Sequence, residues 1–299
     1  MAVPDFQSIM LPLLKITGDK KEHRLSEVTE ALAQEFSLTD DDRKELLPSG
    51  SQGKFDNRVG WARTYLTKAG LLEKVERGSF RITERGLKVL SEKPDYINIK
   101  FLKQYKEIRE FIGLEPGPDN GEVVVDEKTP EEILAESYQK LRDDLAQELL
   151  AQIKSMSPKF FENLVVSLLV GLGYGGSRRD AAQAVGKTKD GGVDGVIKED
   201  SLGLEVLYVQ AKRWENTVGS PLVQGFAGSL DKMYSKKGVF ITTSTFSKDA
   251  IKFVEAIEKK IILIDGQQLV NLMIDYNIGV TESQKYTIKK IDMDFFTEE

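Results

Sequence analysis

In the first ninety residues the apolar positions keep helical spacing and then give way to short runs. Leu25, Val28, Leu32 and Phe36 fall on one face and predict a helix over 25–36. An acidic segment, 40–47, leads into the polar loop 48–53. Phe55, Val59, Ala62 and Leu66 predict a second long helix over 55–69, with Gly70 as its C-terminal stop. Residues 72–76 and 80–82 flank the turn residues 77–79 and read as strand, turn, strand, after which Thr83 can cap a helix reaching Leu90. Helices followed by a two-stranded wing make the order of a winged helix-turn-helix, expected over residues 1–92.

Residues 93–155 read as an acidic, partly helical connector. The stretch 115–121 is a break that neither helix nor strand crosses. The helix expected over 130–154 carries Ile133, Leu134, Leu141, Leu145 and Leu149 for packing. A second domain, 156–299, opens at Ser157-Pro158, a capping residue before a proline at the first helical position. Behind it Phe161, Leu164, Val165, Leu168, Leu169 and Leu172 form a long helical stripe. Strands are expected over 194–198, 204–212, 238–243 and 260–264, and helices over 220–234, 247–258 and 267–276. Such alternation defines an α/β domain with a central mixed sheet flanked by helices, in a chain that is α+β overall.

The chain has 299 residues, 40% apolar and 30% charged, enough for two domains with their own cores. No apolar run reaches the length of a membrane span and the N-terminus lacks a secretory pattern, so a cytoplasmic protein is expected. There are no cysteines and one histidine, His23, in a polar stretch. Disulfides, thiol nucleophiles, Cys/His zinc sites and histidine-based nucleases are thereby set aside, and any metal must be held by oxygen. The net charge of −6 conceals a basic stretch, since residues 54–88 hold nine Lys/Arg against four Asp/Glu, a balance of +5. On the 55–69 helix the face away from the core carries Asn57, Gly60, Trp61, Thr64 and Lys68, flanked by Arg58 and Arg63. A helix laid in a major groove needs that mixture, and Arg77 and Arg81 by the wing are candidates for phosphate contacts. Each of these side chains also has a plain surface role available, and Trp61 can pack on the wing or the neighbouring domain.

The chemistry-bearing residues lie further on. Asp194 sits in Asp190-Gly-Gly-Val-Asp194-Gly, and Gln210-Ala-Lys212 closes an apolar run. Strand alternation points Gln210 and Lys212 the same way, and a hairpin pairing would bring Asp194 beside them. An acidic oxygen, an amide oxygen and an ammonium then converge, as a magnesium-assisted phosphodiester hydrolase requires. Because Gln210 supplies no charge, another carboxylate is needed. Glu162, beside the buried stripe of the 157–172 helix, is the first candidate, and Asp190 and Glu205 are alternatives. The run Gly171-Leu-Gly173-Tyr-Gly-Gly176 matches a dinucleotide-binding fingerprint, but the preceding residues are helix-periodic, which argues against that use.

Taken in order, Phe160-Phe-Glu162-Asn-Leu-Val, Gly173-Tyr174, Asp190-Gly-Gly-Val-Asp194-Gly and Tyr208-Val-Gln-Ala-Lys-Arg213 resemble the catalytic domain of the Mrr family of restriction endonucleases. Residues 1–92 resemble that family's winged-helix domain. The resemblance implies a restriction-endonuclease-like fold with the site pattern Asp…(Glu/Asp)-x-Lys, Gln210 replacing the middle acid as in this branch. It further implies Mg²⁺ (Mn²⁺ as a substitute), a double-stranded, methylated DNA substrate, and type IV, modification-dependent cleavage. Asp194, Gln210 and Glu162 would hold the metal and Lys212 would orient the attacking water. A DNA-binding regulator with a degenerate nuclease domain and a branched-DNA repair nuclease are the competing functions. Cutting both strands calls for a homodimer or larger assembly.

Overall fold

The computed structural model describes residues 2–50, 52–75, 78–113, 127–175, 193–199, 205–289, 291 and 295. It divides into two compact units, Met1–Lys140 with Lys290–Glu299, and Leu141–Lys289.

The first unit begins with α1 (Phe6–Ile16), capped by Asp5, whose carboxylate accepts from the amides of Gln7 and Ser8. β1 (His23–Arg24), α2 (Leu25–Glu35), α3 (Asp40–Lys44), α4 (Lys54–Lys68), β2 (Leu72–Lys74), β3 (Ser79–Ile82) and α5 (Glu84–Ser91) follow. The sheet order is β1-β3-β2, antiparallel throughout, so the wing is completed by a two-residue strand. Gly70 adopts φ +70° just past α4, the left-handed stop anticipated there, and Thr83 caps α5 by accepting from the Gly86 amide. His23 lies in β1, its Nε2 2.7 Å from Asp19 Oδ1.

The core of this unit does not stop at residue 92. Ile97, Ile99, Leu102 and Ile108, on and around α6 (Ile99–Leu102) and α7 (Lys106–Phe111), are buried in one cluster with Phe6, Leu32, Leu66 and Phe80. A segment expected as connector is therefore part of the domain. The expected break at 115–121 lies outside the described residues.

α8 (Pro130–Ser155) spans the boundary between the units. In the second unit α9 (Pro158–Gly171) starts at Ser157, which accepts from the Phe160 amide. Its end disposes of the dinucleotide fingerprint: the glycines terminate a helix, with Gly173 at φ +98° and Gly175 at φ +102°, and no strand precedes them. β4 (Gly195–Lys198), β5 (Val206–Lys212), α10 (Ser220–Lys232), β6 (Lys237–Thr242), α11 (Lys248–Ala256), β7 (Lys260–Ile264) and α12 (Gly266–Asp275) complete the unit. The sheet runs β4-β5-β6-β7, antiparallel at β4–β5 and parallel elsewhere, the mixed sheet expected. Leu207, Val209 and Ala211 bury one face against α9 and α12; Phe240, with the half-buried Val196 and Tyr208, packs the other against Phe226 of α10 and Ala250 of α11. Packing α10 onto β6 needs Gly238, where an added Cβ would lie 2.7 Å from the Phe226 ring.

Candidate active site

The antiparallel register brings the chemistry together. Gly195 pairs with Val209, so Asp194, one residue back, stands opposite Gln210, and its amide donates to the Val209 carbonyl at 2.9 Å. Alternation along β5 turns Leu207, Val209 and Ala211 into one layer and leaves Gln210 and Lys212 on the other face. Asp194 Oδ2 accepts from the Ala211 amide at 2.9 Å and from the Gln210 side-chain amide, and it lies 3.7 Å from Lys212 Nζ. Gln210 is 3% exposed, whereas Asp194 and Lys212 remain partly open to solvent. An amide suits so buried a place: without a cation it satisfies the carboxylate by donating to it, which a second carboxylate could not do.

The other candidate carboxylates are not joined to this set. Glu162 is half-buried on α9, the helix that packs on the opposite sheet face, and has no hydrogen-bonding or ionic partner among the described residues. Glu205 stands at the far end of β5, where it and Glu199 both pair with Lys237; those bonds hold the lysine's pKa above its ordinary value. It belongs to an ion-pair cluster away from Asp194, which removes it as a ligand. Asp190 lies outside the described residues, among which no group of three or more His, Cys, Asp or Glu assembles.

In the first unit the expected DNA-reading face is divided. Asn57 is 4% exposed; it accepts from Thr129 Oγ1 at 2.6 Å and donates to Gln52. Arg58 is buried too, donating to Glu132 at 2.9 Å and to the carbonyls of Val3 and Pro4. Trp61 donates its indole N–H to Glu131 at 2.5 Å. These three side chains seat the start of α8 rather than face solvent, a correction to their assignment as groove-reading groups. In the sequence, Thr129 with Glu132 three residues on marks a helix start, but nothing local says what that start packs against. Arg63 is half-buried over the Phe80 ring, 5.8 Å from its centroid, and burial lowers its pKa. Thr64 donates to the Gly60 carbonyl. Lys68 lies exposed, 5.2 Å over Phe111. Arg81 is paired with Glu73 across the wing at 2.6 Å, and Arg77 lies outside the described residues.

A mixed sheet that brings an aspartate, a buried amide and a lysine together has the layout of a restriction-endonuclease-like domain. The comparisons with known proteins agree: residues 153–273 match the family model described as "Restriction endonuclease", the Mrr catalytic domain, and residues 6–92 match the Mrr N-terminal domain. The chain is 38% identical over 313 residues, covering 99% of itself and all of its relative, to the type IV methyl-directed restriction enzyme EcoKMrr of Escherichia coli strain K12. It belongs to the Mrr family of restriction endonucleases. Partial likenesses extend to the DNA modification-dependent restriction endonuclease AspBHI (21% identity, 46% of this chain and 36% of that one, TM-score 0.37). A further one is to the MspJI restriction endonuclease solved with a 27-mer oligonucleotide (19%, 63% and 43%, TM-score 0.28).

Proposed function

We propose that the chain cleaves modified, in particular methylated, double-stranded DNA by metal-assisted hydrolysis of phosphodiester bonds, as a homodimer or larger assembly in the cytoplasm. The observation that carries this reading is the approach of Asp194 to Lys212 with Gln210 between them. The donor set fits a hard divalent cation: a carboxylate and an amide oxygen, in a chain without cysteine whose one histidine is His23. Mg²⁺ is the ion these donors favour, with Mn²⁺ as substitute; Glu162, half-buried with no partner among the described residues, is the candidate second carboxylate, though α9 places it on the sheet face away from Lys212. When bound, the cation supplies charge neutralisation at phosphorus. Lys212 holds and polarises the attacking water and offsets charge developing on the phosphoryl oxygens. Asp194 fixes the lysine and the Gln210 amide in one place. Lys68, Arg63 and Arg81 are the first unit's candidates for phosphate contact.

Purified protein in Mg²⁺ or Mn²⁺, given matched methylated and unmethylated plasmids, tests the reading. Methylated plasmid is expected to be cut in preference. Asp194→Ala and Lys212→Ala should each lower the rate at least about 10²- to 10³-fold with the fold retained. Variants cutting at near wild-type rate would place the chemistry elsewhere. Metal-dependent nicking also separates an enzyme from a regulator with a degenerate domain, the reading favoured by the Gln210 amide closing on Asp194.

A further inference from the structure

Immediately beyond Lys212 the chain presents an indole to solvent from a backbone held on both sides. Trp214 is 40% exposed, and its ring N–H has no partner among the described residues. Its backbone, by contrast, is pinned. The Trp214 amide donates to the Lys212 carbonyl at 3.1 Å, and its own carbonyl accepts from Thr243 Oγ1 at 2.7 Å. The Lys212 carbonyl also accepts from Thr242 Oγ1 at 2.9 Å, and both threonines are at most 1% exposed. The zipper continues outward. Ser244 Oγ donates to the Glu215 carbonyl, Thr217 and Thr245 hydroxyls meet at 3.1 Å, and Val218 and Ser247 amides bond across to Thr245 and Val218 carbonyls. The loop after β5 is thus sewn to the loop after β6 along its length.

Two features set this residue apart from a stray surface apolar group. It stands at the C-terminal ends of the parallel strands β5 and β6, where open α/β sheets bind their ligands, two residues from the lysine of the site. And the bonds that anchor its backbone leave two-fifths of the residue open to water. The chain's other tryptophan, Trp61, shows the contrast: half-buried, packed on Tyr65 and bonded through its indole N–H. A flat π-surface on a fixed backbone two residues from the Lys212 ammonium is a platform for a nucleobase: the ring takes the base while the lysine neighbours the phosphate.

We propose that Trp214 contacts the DNA, its indole stacking on a base next to the phosphate held at Asp194 and Lys212. This rests on the DNA-cleaving reading above. The stack orders the nucleotide, so that loss of the ring weakens binding and raises KM more than it lowers kcat.

The test uses the full chain in Ca²⁺ or EDTA, with a fluorescently labelled oligonucleotide whose anisotropy reports binding while tryptophan emission is read in the same titration. Wild-type emission should be quenched over the concentration range in which anisotropy rises. The quenching should largely vanish in Trp214→Phe, which retains Trp61. Trp214→Ala should raise the Kd roughly 5- to 150-fold, with Trp214→Phe recovering most of it. Binding with unchanged emission in the wild type, together with a Trp214→Ala variant that binds normally, would overturn the stacking proposal alone. No anisotropy change in any variant would overturn the DNA-cleaving reading and the stack with it.

Discussion

At the scale of single residues, the meeting of Asp194, Gln210 and Lys212 in the candidate site was legible because strand alternation is a strict period of two. Once Gln210 and Lys212 are placed on one strand they must share a face, and one turn then suffices to bring Asp194 alongside. Asn57 and Arg58 misled for a complementary reason. On an isolated helix a polar residue is assigned to water, whereas theirs are partners 72 and 74 residues away in sequence. Trp214 passed unremarked because its exposure depends on the threonines that pin its backbone. The buried amide carries its own prediction. In Gln210→Glu the introduced carboxyl faces Asp194 and is desolvated; both effects raise its pKa above the ordinary value of about 4.3. The folded chain then binds a proton that the unfolded chain releases, so stability falls as pH rises above that value. Without metal the variant should lose roughly 1–3 kcal/mol relative to wild type at pH 8 and much less at pH 5. Mg²⁺ should restore it more than it stabilises wild type. Melting curves at the two pH values check this, and identical curves for the two proteins would mean that the side chain at 210 does not face Asp194.

At the scale of elements, amphipathic helices and capped starts were readable, whereas α1 and β1 were not. α1 buries Phe6, Ile9, Met10, Leu11, Leu13 and Leu14 and contains Pro12; a helix surrounded by core shows no stripe and looks like an unpatterned apolar run. β1 has two residues, too few for alternation to appear. The seating of α8 on α4 was invisible for want of a local signal, and it is stabilised by a pair with small exposure, Arg58 at 11% and Glu132 at 4%. Removing one member of such a pair leaves a charge out of water without its counterion. Glu132→Ala should therefore cost about 3–5 kcal/mol, and Arg58→Met combined with Glu132→Leu should recover most of it. Glu73→Ala, which breaks the exposed pair with Arg81, should change little. Hydrogen exchange followed by mass spectrometry on the intact chain localises the effect. The α4 amides should exchange faster in Glu132→Ala alone, and unchanged protection there would show that the ion pair does not hold the α8 start on α4.

At the scale of the molecule, one chain carries one Asp194–Gln210–Lys212 cluster, while a duplex offers two scissile phosphates on strands of opposite direction. Two clusters related by a two-fold axis meet that demand, since the symmetry of a dimer matches that of the duplex backbone. If each cluster cuts one strand, mixing wild-type chains with Asp194→Ala chains has a defined outcome. In a random assortment at equal amounts about a quarter of dimers carry two working clusters and about half carry one. Linear product from a circular methylated plasmid should fall to about a quarter of its rate, and nicked circles should accumulate from the mixed dimers. A chain that turned and cut both strands itself would instead give linear product in proportion to the wild-type fraction, about one half, with no added nicked form. Agarose gels resolving supercoiled, nicked and linear plasmid at fixed total protein distinguish the two. Only the quadratic fall is compatible with a site completed on the duplex by a second copy of the chain.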